Sequence, residues 1–377
     1  MSRARKIFLF AGLGLLLIIM IFLLARIFGP VNYRARVKKP MPSQAIYYVD
    51  GIKVKRPLPP AGPPKSLETI YHADLLISEG KYENSICELK NLQDENIEAR
   101  EKFWINLLLS ENGRLKAKYQ QGVPGSEANK NFSEGTQELS RAAELVARAK
   151  FSNGEKQKAY IRLGSAYMGR CLFKEAEHYF QEASLVRGHD YYKAYALTHA
   201  GHCMINRGAR SDASRLARDL EKMLEKGTLY PDIICLLGEI YYGIPDYKRA
   251  RYWFNKTIEI SPYSSIGLEA RIYLAWMDLQ TGKRKSASLE LQQVLEGLVM
   301  VYGSPDNIPP STGSTLFGMM LFTFSDMEAF KSTLPENERK FLRTHADKAN
   351  DLFKQGHTEE MMKEIKIILK KMRSGGF

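Results

Sequence analysis

The sequence predicts an all-α protein: an α-solenoid of helix–turn–helix repeats, preceded by one N-terminal transmembrane helix and a Pro-rich linker. Three observations predict it. A 19-residue run without charge, IFLFAGLGLLLIIMIFLLA, occupies residues 7–25. Prolines crowd the next forty residues. Beyond them, small residues return at a fixed interval among apolar residues of helical period.

Residues 1–6 form a short basic head with Arg3, Arg5 and Lys6. At 1.5 Å per residue the apolar run extends about 28 Å, close to a hydrocarbon core of about 30 Å. It exceeds the length of a signal-peptide core, and no small-x-small cleavage pattern follows it. The expectation is an uncleaved anchor over 7–28 and a single-pass location in the cell (inner) membrane. Gly12 and Gly14 do not make the G-x-x-x-G dimer pattern, so helix pairing is not predicted. Basic residues flank both ends in nearly equal number, which leaves the side of the soluble part open.

Residues 29–65 contain GPVNYRARVKKPMPS and RPLPPAGPPK. Proline at this density forbids helix and favours extended polyproline geometry, so the segment reads as a semi-rigid basic spacer. A docking ligand or a contact with anionic lipid is the sharper alternative. Within it, AIYYVDGIKV (45–54) predicts a short β-hairpin around Asp50-Gly51.

The net charge of +13 points to nucleic acid only until it is located. Residues 1–65 hold 12 Lys/Arg and one acid, Asp50. The remaining 43 bases and 41 acids nearly cancel, so the body has no basic face for a nucleic acid.

The stretch RLGSAYMGRCLFKEAEHYFQEA (162–183) carries the repeat. Numbered so that Gly164 is position 8, it has Leu163 at 7, Tyr167 at 11, Ala176 at 20, Phe180 at 24 and Ala183 at 27. Gly201 and Ala213 repeat positions 8 and 20. Leu237, Gly238, Tyr241, Ala250 and Phe254 repeat 7, 8, 11, 20 and 24, and Leu274, Ala275 and Ala287 do so again. Position 8 thus falls at 164, 201, 238 and 275, a period of 37. Glycine inside a helix costs about 1 kcal/mol relative to alanine. Close approach of the second helix offsets that cost, because burying each large side chain contributes about 1.5–3 kcal/mol.

This pattern resembles the tetratricopeptide (TPR) repeat, whose consensus places large residues at 4, 7, 11 and 24 and small ones at 8, 20 and 27. The resemblance covers 66–300 in about six units. The first has Ala73 at 8 and Gly80 at 15, and the second has a polar loop near 120–135 between its helices. Residues 301–335 interrupt it with a loop and a strongly apolar helix at 315–331, which either caps the solenoid or binds a partner. Residues 336–373 resemble a degenerate last hairpin, with Ala349 at 8.

No H-E-x-x-H, P-loop, G-x-S-x-G or paired C-x-x-C occurs, so no catalytic residue, metal or cofactor is predicted and the chain is not read as an enzyme. Cys87, Cys171, Cys203 and Cys235 fall on different units, which predicts single buried thiols; a Cys203–Cys235 disulfide is conceivable in an exported domain. His199, His202 and Cys203 have a spacing that permits metal but lack a fourth ligand. The sequons at Asn131 and Asn255 read as coincidental.

The TPR resemblance implies a concave face formed by first helices, with ligands touching positions 2, 5, 9 and 12. By phase these include Lys158, Ile161, Ser165 and Met168, then Tyr195, Thr198, His202 and Ile205. Asp232, Cys235, Glu239 and Tyr242 follow, then Glu269, Ile272, Trp276 and Leu279. The Lys and Asn that clamp a C-terminal carboxylate in some members are absent. The function implied is a membrane-tethered scaffold that binds a protein or peptide and helps assemble or regulate an envelope complex. The alternatives are a self-associating organiser at the membrane surface and, further off, a metal-binding enzyme.

Overall fold

The computed structural model describes residues 47–49, 52–54 and 61–374, apart from 94–96, 120–125, 226–229, 355–356 and the stretch 302–334, of which Met319 and Thr323 are described. The chain divides into Met1–Ala45, which lies outside the described residues, and Ile46–Phe377. The expected anchor at 7–28 therefore lies outside them too, as does nearly all of the expected helix at 315–331. Among the described residues no helix is long and apolar enough to cross a membrane.

The predicted hairpin is present. Strands β1 (Tyr47–Val49) and β2 (Ile52–Val54) pair antiparallel, with Tyr47 opposite Val54 and Val49 opposite Ile52. Fourteen helices follow among the described residues, in seven consecutive hairpins. They are α1 (Glu68–Ser78) with α2 (Tyr82–Gln93), α3 (Ala99–Tyr119) with α4 (Ser126–Val146), and α5 (Asn153–Met168) with α6 (Phe173–Leu185). Next come α7 (Asp190–Asn206) with α8 (Arg210–Glu225), α9 (Pro231–Gly243) with α10 (Tyr247–Ile260), and α11 (Ser265–Gln280) with α12 (Arg284–Val301). The last pair is α13 (Glu336–Lys354) with α14 (Thr358–Arg373). The two helices of each hairpin pack together, and first helices also touch successive first helices from α1 to α11. The result is a continuous layer of first helices, the arrangement expected of stacked repeats that cannot bury both faces alone.

The repeat residues occupy equivalent places. Ala176, Phe180, Ala213, Tyr241, Ala250, Phe254, Ala275 and Ala287 are fully buried, and Tyr167 is half-buried with its ring stacked on Tyr179 at 5.3 Å. A Cβ on Gly164 would lie 2.9 Å from the Phe180 ring, and one on Gly238 would lie 2.8 Å from Phe254. In both units the aromatic residue at position 24 lies against a bare helix backbone. Gly201 has the same place in its helix but a different neighbour. Position 24 there is Ala217, and the space is filled by Ile240 of the following unit, 2.6 Å from where a Cβ would stand. The small residue is kept, but a neighbouring repeat supplies the large one.

Five of the described hairpins turn through a residue of positive φ at position 15, Pro245 among them with φ of 26°. Gly80, Gly208 and Gly282 have φ of 77°, 84° and 74°. Cys171 sits at the same position with φ of 59°, where a side chain costs roughly 1 kcal/mol or more.

One boundary differs from the sequence expectation. The polar stretch 120–135 is not all loop, because α4 begins at Ser126. The reason is a tight crossing of α3 and α4. A Cβ on Gly113 would meet the Asn131 carbonyl oxygen at 2.6 Å, and one on Gly135 would meet the Ser110 carbonyl oxygen at 2.9 Å. Glycine, a loop signal by composition, here serves a helix contact.

The core is in two parts. The larger runs from Ala61 to Met277, so it includes the last part of the linker. The smaller joins α11 and α12 to the C-terminal hairpin through Leu291, Leu295, Leu342, Ala349, Met361 and Ile365.

Candidate functional site on the first-helix face

The candidate groove residues all lie on α5, α7, α9 and α11, so one continuous layer brings them together. They do not all line it. Ile161, Thr198, Cys235 and Ile272 are buried in the cores and are corrected from lining to packing residues. Thr198 turns its hydroxyl back to the Ala194 and Tyr195 carbonyl oxygens, at 3.2 and 2.8 Å, and Cys235 lies 3.9 Å from the Ile266 carbonyl oxygen. Stacked repeats bury more of each first helix than one helix wheel shows. Ser165, Met168, Tyr195, His202, Glu239, Tyr242 and Trp276 remain half-buried on the layer.

The centre of the face is acidic and aromatic. Tyr191 donates its hydroxyl to Asp232 Oδ2 at 2.6 Å. Tyr195 packs its ring 4.3 Å from His199, which stacks on Phe180 at 5.2 Å and lies 5.9 Å from His202. His202 Nε2 stands 3.2 Å from the Leu236 carbonyl oxygen and 3.7 Å from Glu239. Tyr273 lies close enough to Glu239 to favour its charged form, and Glu269 lies near enough for its charge to be felt. No Lys or Arg pairs with Asp232, Glu239 or Glu269 among the described residues.

Burial therefore dominates here. It raises Asp232 and Glu239, and raises Glu269 together with the like charge of Glu239. The same desolvation pushes His199 down to about 3, and its two ring nitrogens are buried without a hydrogen-bond partner. His202 is also lowered by burial, against the pull of the Leu236 carbonyl.

The two ends of the face differ from the centre. Toward the C-terminus, Tyr242, Tyr273 and Trp276 form an aromatic group with ring centroids 5.0–6.5 Å apart. Trp276 donates its indole N–H to the Thr323 hydroxyl at 2.6 Å, so part of the 315–331 segment reaches the groove face. Toward the N-terminus, Arg162 reaches Asp74 Oδ1 at 2.9 Å, Glu111, and the Ala61 carbonyl oxygen at 3.0 Å. Burial alone would lower Arg162, but Glu111 and Asp74 outweigh it and raise it.

Sequence reasoning missed Arg162 and Tyr273 and weighed His199 only as a metal ligand, and the three share one place. Each is at position 6, between the packing and lining positions. A polar or aromatic residue at position 6 in three of the four in-phase units was the available signal.

The cysteines also differ from expectation. All four are free thiols, but Cys87 and Cys171 are exposed while Cys203 and Cys235 are buried. Burial pushes the Cys203 thiol up to about 12, far from the thiolate that a metal requires. Among the described residues no group of three or more His, Cys, Asp or Glu is arranged for a metal ion. Asn131 and Asn255 both lie on helices.

No protein-family model matches the chain, and comparison of its sequence with curated proteins finds no match. Solved structures do match. The C-terminal part of a TPR repeat-containing protein from Cytophaga hutchinsonii aligns with 76% of this chain and 98% of its own at 16% identity, with a TM-score of 0.39. The Rap protein complexed with competence and sporulation factor aligns with 83% of this chain and 99% of its own at 13% identity, with a TM-score of 0.41. The apo form of the quorum sensor NprR from B. thuringiensis aligns with 82% of this chain and 81% of its own at 12% identity, with a TM-score of 0.50. At that identity the likeness to NprR is one of fold, and the chain has a TPR-like helical-repeat fold.

Proposed function

We propose that this chain is a membrane-tethered scaffold that binds an extended segment of a partner protein on its first-helix face, by binding rather than by catalysis. The observation that carries the reading is the central stripe. Tyr195, His202, Glu239, Tyr242 and Trp276 stand half-buried in one layer, beside carboxyl groups with no Lys or Arg partner among the described residues. Half-buried aromatic rings offer large contact area at low ordering cost, and a rigid helical layer presents them preformed. The structural likeness to a quorum sensor supports a TPR-like binding protein without identifying the ligand. The tether rests on the sequence of residues 7–28 and the spacer behind them. Assembly or regulation of an envelope complex is the role that fits such a tethered scaffold.

A photoreactive residue in place of Tyr242 tests the groove, with one at Tyr252, 58% exposed on α10, as the control. Capture of a partner from position 242 and none from 252 is expected; the reverse refutes the assignment. Deleting 1–28 is expected to release the chain from membranes. Labelling Cys87 and Cys171, the two exposed thiols, from either side of intact cells reports which compartment holds the solenoid.

A further inference from the structure

The N-terminal end of the first-helix face holds a piece of the chain's own linker. Ala61 is 6% exposed and Pro63 is also buried. Arg162 Nη1 donates to the Ala61 carbonyl oxygen at 3.0 Å, while Nη2 is held by Asp74 of α1 and Glu111 of α3. Three first helices thus contribute to one clamp, in which two carboxylates hold the guanidinium. Gly62 passes so close that a Cβ would stand 2.8 Å from Asp74 Oδ2. Beyond it, the Leu67 amide donates to the Pro64 carbonyl oxygen at 3.0 Å and turns the chain into α1.

The chemistry of the two sides matches. A proline has no amide hydrogen, so a proline-rich strand presents mainly carbonyl acceptors. Arginine is all donor and no acceptor. Asp74 falls at position 9 of the first unit, a lining position of the repeat. The geometry points to a second binding site: the Arg162 clamp takes an extended proline-rich strand with a small residue and glycine at its centre, and residues 61–64 are its resident ligand in cis. The linker is then fastened to the solenoid by a separable contact. Arg162, Asp74 and Glu111 are none of the residues of the central stripe, and the octapeptide reads their site separately, so the two readings can fail independently.

The test uses the full-length chain in detergent and a fluorescein-labelled octapeptide, LPPAGPPK, copied from residues 58–65. Two chains empty the clamp: Gly62→Val, and a chain whose residues 58–65 are replaced by a Gly/Ser sequence of equal length. Circular dichroism checks that each is folded. Fluorescence polarisation is expected to show at least tenfold tighter octapeptide binding to a folded emptied chain than to the unaltered protein. That binding is expected to be lost when Arg162→Met, Asp74→Asn and Glu111→Gln are combined, and when the peptide's glycine is changed to valine. Equal binding by the emptied and unaltered chains, or binding indifferent to the clamp residues, overturns the proposal. Loss of the helical fold in both emptied chains overturns it as well, since the strand would then belong to the core.

Discussion

The two halves of the first-helix face handle buried charge in opposite ways. Around Arg162 a buried cation is matched by Asp74 and Glu111, and the three side chains are locked together. Around Glu239 the carboxyls of Asp232, Glu239 and Glu269 have tyrosine hydroxyls, a histidine and a thiol near them and no Lys or Arg partner among the described residues, and burial drives them toward the neutral form. One end of the face is closed by its own salt bridges and a strand of its own chain. The other leaves its carboxyl groups without a Lys or Arg partner among the described residues. Desolvation is common to both, and the presence of one arginine separates them.

The largest expected effect breaks the closed half. Arg162→Met strands two carboxylates in a largely buried site, and removing one partner of a buried pair costs about 3 kcal/mol or more. Chemical denaturation is expected to show that loss, and a change below about 0.5 kcal/mol would mean the clamp is solvated. Next, Gly238→Leu tests whether packing rather than charge supports the open half. It drives a side chain into Phe254 and is expected to cost about 3 kcal/mol, at acid and neutral pH alike. A normal melting temperature would argue against the repeat register.

The third prediction concerns pH. Because the folded-state values of Glu239 and Glu269 are raised above the ordinary 4.5, the folded chain holds protons that the unfolded chain has released. Stability therefore falls as pH rises from about 4.5 through neutrality and levels off once both states are ionised. The melting temperature is expected to follow that slope, and the Glu239→Gln/Glu269→Gln double variant is expected to flatten it. An unchanged slope would place the titration elsewhere. The smallest effect is a control outside both halves. Cys171→Gly relieves the left-handed turn and is expected to raise stability by about 0.5–1 kcal/mol. A loss would mean that the thiol makes a contact that its exposure does not suggest.

How much could be read in advance varied with the kind of residue. Gly164, Phe180, Gly238 and Phe254 were legible because a glycine on one helix and a ring on the next must recur together whenever two helices press close. Gly201 was legible as a small residue but not as a contact, because Ile240 reaches it from another repeat. The helix starting at Ser126 was hidden, since its glycine reads locally as a breaker and only the facing Gly113 explains it. Among the groove candidates, Ile161, Thr198, Cys235 and Ile272 looked like lining by phase alone, and it took the neighbouring units to bury them.

The sequence by itself determined the repeat, its period, its turns and which helix of each hairpin carries the polar face. These are local rules of size and backbone freedom that every unit obeys alone. Only the tertiary structure decided which of those polar residues meet. Arg162 finds acids from two other hairpins and a carbonyl from the linker, while Glu239 finds Tyr273, a histidine and a second acid. The physical reason is that charge and solvation depend on neighbours brought together from distant parts of the chain, and one repeat carries no record of the next.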